Sequence, residues 1–174
     1  MAVDWRESMA KRPWWYLNAA RRTLTTALPS LAEPDDAWAA RHLRPGEYLL
    51  FMKLAPAERT HGVEVARRVL RVNPAASSAL IRGSLLHDVG KLGSGGNVVH
   101  RILAHLLPPL PVPAEPRLSG LAGVRQARRH HGDYGATLVM AAGRDSRVAE
   151  LVRNHHRPGD DVEARLLHEC DELT

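Results

Sequence analysis

Histidine and aspartate side chains recur in this chain where apolar helical faces turn inward. The chain has ten histidines among 174 residues. Five of these histidine and aspartate residues lie three, four, seven or eight positions from apolar residues of the same predicted helix, so they share its inward face. They are His61, His87, Asp88, His155 and Asp171. Burying an imidazole or a carboxylate without a partner is costly, and a metal ion would satisfy all of these groups at once. The set therefore indicates a mixed His/Asp metal site, although each residue alone is more typical of a hydrogen-bonded core histidine or a capping aspartate.

Helices must position these side chains, since the sequence contains no strand-length alternation of apolar and polar residues. Apolar periodicity predicts helices over residues 55–72, 75–90, 97–107, 131–143, 145–156 and 161–173. Asp35 or Asp36 is expected to cap a further short helix, and Asp145 to cap a later one. Gly90 is expected to end the helix over 75–90. The five prolines of residues 108–116 exclude regular helix there. The predicted class is all-α, a helical bundle.

Composition favours one soluble domain, with 44% hydrophobic and 25% charged residues. The single cysteine, Cys170, cannot form an intrachain disulfide, which fits a reducing compartment. The sequence has neither an apolar run long enough to span a membrane nor a secretory signal, so we expect a cytoplasmic protein. The net charge of +5 comes mainly from arginine and suits an anionic substrate. A nucleic-acid-binding module is a weaker alternative, because no recognised motif accompanies the arginines.

Residues 1–34 differ in character from the rest of the chain. Aromatic and basic residues are interleaved over residues 1–30, and a proline-containing linker follows. Such a segment is typical of a terminal helix packed on the domain or of a self-association surface, and less often of a membrane-surface helix. We therefore expect an N-terminal extension and linker over 1–34, with possible oligomer or surface contacts through 1–30, and a domain over 35–174.

The order of the histidines and aspartates resembles the H…HD…H…H…D signature of the HD-domain metal-dependent phosphohydrolases. The resemblance covers about residues 47–174, and its most specific piece is the segment HDVGK at 87–91. The segment HGDYGA resembles the family segment in which a histidine precedes glycine by four residues, which selects His131 over His130. The segments LVRNHH and HECDEL resemble those that carry the fourth histidine, His155, and the final aspartate, Asp171.

The resemblance implies a helical bundle with a metal site between its helices. One ion would be held by the first histidine, the HD pair and the last aspartate, which are here His61, His87, Asp88 and Asp171. In two-metal members the HD aspartate bridges to a second ion, which here would bind His131 and His155, with His156 as a further candidate. Two ions about 3.5–4 Å apart can share a hydroxide nucleophile and neutralise phosphate oxygens. Histidine-rich ligation favours Mn, Fe, Co, Ni or Zn over Mg.

A basic side chain close to such a centre would contact the substrate phosphate. Lys91 is the first candidate, and it shares the predicted catalytic role with Asp88; Arg59 and Arg157 are further substrate candidates. The alternative without a functional role is that Lys91 is a surface charge at a helix C-terminus. The predicted substrate is a nucleotide or another small phosphorylated metabolite.

Two branches of the family fit poorly. The segment HHRPGDD lacks the Gly-Tyr-Pro stretch of the cyclic di-GMP phosphodiesterases, and HDVGKLGSG lacks the Glu-Asp pair of the alarmone hydrolases. The main alternative to an enzyme is a regulatory HD protein that binds metal or nucleotide without turnover.

Overall fold

The computed structural model describes residues 32–95, 100, 107 and 112–174. These residues form seven α-helices and no strand, which confirms the predicted all-α class. The helices are α1 (Asp36–Ala40), α2 (Pro45–Phe51), α3 (Pro56–Val72), α4 (Ser78–Leu86), α5 (Gly120–Gly143), α6 (Ser146–Asn154) and α7 (Val162–Glu172). A 3₁₀ turn, Val89–Lys91, follows α4. None of the described helices combines the length and the apolar character that crossing a membrane requires.

Local capping explains where most of these helices begin. Asp35 caps α1 by accepting a hydrogen bond from the Trp38 amide at 2.9 Å, and Asp145 caps α6 by accepting one from the Val148 amide at 3.3 Å. Pro56 occupies the first turn of α3, where a missing amide hydrogen costs nothing. The predictions for α1, α3 and α6 are therefore confirmed at their starts.

Two predicted helix boundaries are wrong. The helix over 75–90 ends at Leu86 instead of at Gly90, and α5 begins at Gly120, well before residue 131. Gly90 serves a packing contact, since a Cβ there would lie 1.8 Å from the carbonyl oxygen of His131. The predicted helix over 97–107 lies outside the described residues, apart from residues 100 and 107.

Two apolar clusters hold the helices together. The larger one includes Phe51 of α2, Leu86 of α4 and Val139 of α5, all with no exposed surface. The smaller one joins α3, α4, α6 and α7 through side chains such as Leu80 and Leu167. In this arrangement α7 packs on α3 and α6, and α5 packs on the 3₁₀ turn.

A buried ion-pair network that sequence reasoning missed ties α2, α4 and α6 together. Glu47, which has no exposed surface, accepts a 2.8 Å hydrogen bond from the Arg82 guanidinium. The same guanidinium donates to Asp145 at 2.8 Å. Each of the three charges therefore has a partner, which buried charges require.

Candidate metal centre

Four of the predicted ligands form one group, here called the acidic group: His61, His87, Asp88 and Asp171. The Nε2 atom of His61 lies 2.8 Å from Oδ1 of Asp171. The Nε2 atom of His87 lies 3.5 Å from the same oxygen and 3.6 Å from Oδ2 of Asp88. Ligand atoms of His61, His87 and Asp88 all lie within 4.8 Å of one another, which is close enough for one ion to gather them.

Three histidines form a second group, here called the histidine group: His131, His155 and His156. The Nε2 atoms of His131 and His155 are 3.1 Å apart, and Nε2 of His156 lies 3.1 Å from Nε2 of His131. His131 and His155 are buried, whereas His156 is at the exposed rim. The three nitrogens converge from α5 and from the end of α6.

Asp88 lies between the two groups and presents one carboxylate oxygen to each. Its Oδ2 faces His87 of the acidic group at 3.6 Å, and its Oδ1 faces Nε2 of His131 at 3.5 Å. This placement depends on the close approach of the 3₁₀ turn to α5, which Gly90 permits. A second close approach, of α5 to α6, occurs at Gly132, where a Cβ would lie 2.5 Å from the carbonyl oxygen of Arg153.

Backbone hydrogen bonds fix the orientation of the three buried imidazoles. His87, His131 and His155 each place Nδ1 against a carbonyl oxygen of their own helix, which can only accept, so Nδ1 must carry the hydrogen. The distances to the carbonyl oxygens of Ser84, Ala127 and Val152 are 2.8, 3.0 and 2.6 Å respectively. The Nε2 atom of each neutral ring is then an unprotonated lone pair, the form that binds a metal.

The acidic group carries an excess of negative charge. Burial alone would lower the pKa of His87, but the Asp88 and Asp171 carboxylates outweigh it and raise that pKa to about 9. Burial would likewise raise the pKa of Asp171, yet the neighbouring His87 and His61 hold it far below its ordinary value. Without another cation, this half of the site therefore holds a proton on His87 at neutral pH.

The histidines of the histidine group, unlike His87, favour the neutral form. Burial lowers the pKa of His131 to about 4, and it lowers the pKa of His155 well below 6.5. Burial lowers the pKa of His156 as well. All three rings are therefore neutral at pH 7 and ready to act as ligands.

A divalent metal ion fits both halves. In the histidine group, two lone pairs 3.1 Å apart repel each other unless a cation lies between them, and the low pKa values disfavour a proton there. In the acidic group, Nε2 of His87 is buried, and the nearest carboxylate oxygens, at 3.5 and 3.6 Å, are too distant for an ordinary hydrogen bond. The 3.1 Å separation in the histidine group is typical of two ligands on one ion, whose metal–nitrogen bonds are about 2.0–2.1 Å long. The nitrogen and oxygen donor set suits Mn, Fe, Co, Ni or Zn.

The predicted substrate-contacting residues lie in different places. The Lys91 ammonium lies 2.5 Å from Oδ2 of Asp88 and its side chain is 37% exposed, so it borders both the centre and solvent. The Arg59 guanidinium is held by the Asp36 carboxylate at 2.9 Å and by the Leu54 carbonyl oxygen at 2.8 Å. Arg157 is exposed, directly after His156. The structure thus brings Lys91 to the centre and gives Arg59 a partner in α1.

His130, the neighbour of His131, points away from the centre. Its Nε2 lies 2.7 Å from the carbonyl oxygen of Val112 in the proline-rich segment. Gln126 holds the same segment, since its amide nitrogen donates to the carbonyl oxygens of Pro113 and Pro116, each at 2.8 Å. The described part of that segment, residues 112–116, is not helical, as its prolines predict.

Comparison with known families finds one match. The family model described as HD domain matches residues 50–174, well over half of the chain. No significant match was found among curated proteins or among solved structures.

Proposed function

Because the chain belongs to the HD-domain family, we propose that it is a metal-dependent phosphohydrolase. The superfamily consists mostly of metal-dependent hydrolases that act on phosphorylated substrates. The proposed reaction is hydrolysis of a phosphate ester in a nucleotide or another small phosphorylated metabolite. The observation that carries the proposal is Asp88, whose two oxygens face two separate groups of metal-binding side chains at 3.5 and 3.6 Å.

The proposed ligands form two sets, one for each of two ions. His61, His87 and Asp171 would hold one ion, His131 and His155 would hold a second, and Asp88 would bridge the two. His156 would complete the second set from the rim. Ions held in this way would supply Lewis-acid activation of a water nucleophile and of the scissile phosphate.

Lys91 is proposed to contact the substrate phosphate. Its ammonium pairs with Asp88, and a bound cation next to that carboxylate would weaken the pairing and leave Lys91 available to an anion. Its partial exposure supports this role, because the substrate must approach from solvent. Exposed Arg157 is a second candidate for the same anion, whereas Arg59 already pairs with Asp36.

The test combines metal analysis with an activity survey. The purified chain is analysed for bound metals, then reconstituted with Mn, Fe, Co, Ni, Zn or Mg and assayed on nucleotides and simple phosphate esters. Asp88→Asn keeps the shape of the side chain but removes the charge, so we expect loss of metal and at least about a 100-fold fall in activity. His130→Gln is the matched control, because His130 is a neighbouring histidine outside the centre, and it should retain both properties.

Other outcomes decide between this proposal and its alternatives. Full activity in Asp88→Asn would refute the bridging role. A reconstituted chain that binds nucleotide tightly but hydrolyses nothing in any metal would favour the regulatory alternative. Lys91→Met should raise KM for the phosphorylated substrate without removing metal, and an unchanged KM would exclude Lys91 from substrate binding.

We propose a domain over 35–174 and an extension over 1–34, on the basis of the change in composition along the sequence. The cytoplasm is the proposed location, and the single buried cysteine is compatible with its reducing conditions. Contacts to a second copy or another surface are proposed for residues 1–30, which lie outside the described residues.

A further inference from the structure

Two further side chains with metal-binding atoms, those of His168 and Glu172, meet His156 at the rim of the centre. His168 and Glu172 belong to α7, and His156 follows the end of α6. One ligand atom from each residue lies within 4.8 Å of the other two. His168 and Glu172 are four residues apart, which places them on one face of the helix, one turn apart. The same spacing positions pairs of ligands on helices that bind zinc.

A second, independent observation at His168 supports a bound ion. Its Nδ1 atom is buried and has no hydrogen-bond partner. A buried polar nitrogen without a partner is destabilising, and a bound cation would remove that penalty. The rings of His156 and His168 face each other edge to plane, with centroids 6.5 Å apart, while Glu172 is exposed and accessible to an ion from solvent.

We propose that His156, His168 and Glu172 form a separate rim site for a divalent transition metal ion. Two imidazoles and one carboxylate are a donor set for borderline ions such as Zn, Co, Ni or Fe and are poorly suited to Mg or Ca. Three protein ligands leave coordination positions for water, so an ion at this exposed place would exchange readily. The rim site requires no catalytic activity, and it shares His156 with the histidine group.

His156 connects the rim site to the inner centre. Its Nε2 lies 3.1 Å from Nε2 of His131, and its ring centroid lies 4.0 Å from that of His155. A neutral imidazole has one lone pair available to a metal, so His156 can bind one ion at a time and would leave the histidine group when it binds the rim ion. Loading of the rim site should therefore change how tightly the histidine group holds its own ion.

The experiment counts ions with Co²⁺ alone as the probe. Metal-free full-length chain is equilibrated with Co²⁺, and bound cobalt per chain is measured by elemental analysis alongside the visible absorption of the ion. We expect His168→Ala and Glu172→Gln each to bind one ion fewer than the unaltered chain. Glu169→Gln is the matched control, since it removes an exposed carboxylate of the same helix that is not part of the rim group, and it should bind the full number.

A second arm separates this proposal from the proposed function. Asp88→Ala should lose inner ions but keep one Co²⁺, and adding His168→Ala to that variant should remove it. An unchanged ion count in Glu172→Gln would overturn the rim site, and so would an Asp88→Ala variant that is folded by circular dichroism yet binds no ion. A chain that keeps the rim ion but binds none at the inner centre would refute the proposed function and leave the rim site standing.

Discussion

The metal-free protein should lose stability as the pH rises from 7 to 9. The folded protein holds the pKa of His87 at about 9, against an ordinary value of 6.5. A raised folded-state pKa means that the folded chain binds more protons than the unfolded chain between these two values. The resulting stabilisation is complete below pH 6.5 and disappears as the pH passes through 9.

The size of the effect follows from the shift. At 1.36 kcal/mol per pKa unit, the shift of His87 corresponds to about 3 kcal/mol in total, of which about 2 kcal/mol is lost between pH 7 and pH 9. His131, His155 and His156 have lowered pKa values and titrate below this window. With a urea m-value of about 2 kcal/mol per molar, the unfolding midpoint should fall by about 1 M.

Urea unfolding of chelator-treated protein at pH 7 and pH 9, followed by circular dichroism, measures this loss. The metal-loaded protein should show little or none of it, because an ion bound to Nε2 replaces the proton. His87→Gln, which cannot be protonated, should also lack it. An equal fall in the His87→Gln variant, or no fall in the metal-free chain, would show that His87 does not hold this proton.

Three substitutions test the framework around the centre, each by chemical unfolding. Gly90→Ala should destabilise by about 3 kcal/mol or more and impair metal binding, because its Cβ would meet the His131 carbonyl; normal stability and metal content would contradict that contact. Arg82→Met should cost about 3–5 kcal/mol by leaving Glu47 buried and unpaired, and Arg82→Met/Glu47→Leu should recover much of the loss if the pair is the cause. Arg144→Gly should stabilise by about 1 kcal/mol, because Arg144 ends α5 with φ 49°, and a lower unfolding midpoint would refute this strain.

Local patterns in the sequence were sufficient to predict that several site residues are buried. Helical spacing from apolar neighbours predicted that His87, His155 and Asp171 face inward, and all three are less than one tenth exposed. Capping aspartates such as Asp145 marked helix starts correctly, because a cap is a contact within three residues. These features depend only on neighbours in the sequence.

One of the two wrong boundaries depends on a distant contact. Gly90 resembles a helix stop, yet its missing Cβ is required by the carbonyl of His131, forty-one residues later in the chain. The start of α5 at Gly120 has no clear helical signal in the sequence, because its first turns carry glycines and little apolar periodicity. The pairing of Glu47 with Arg82 is also a contact between residues that are distant in the sequence, so no local pattern predicts it.

Two histidines of the centre lie where helices end. His87 and His155 are the residues that cap the C-terminal ends of α4 and α6. The last carbonyl groups of a helix have no amide partners within it, and in both cases Nδ1 donates to the carbonyl three residues earlier. The backbone therefore sets the tautomer and directs Nε2 outward from the helix end.

The same two helix ends also influence the charge of the centre. The C-terminal end of a helix carries partial negative charge, so α4 and α6 both favour a cation where their capping histidines meet. The rings of His87 and His155 lie edge to plane, with centroids 5.2 Å apart, which brings the two ends together. A histidine directly after an apolar helical run thus combines a fixed tautomer with a favourable field for a metal ion. Two helices that each end at a histidine therefore indicate a metal site even before the other ligands are known.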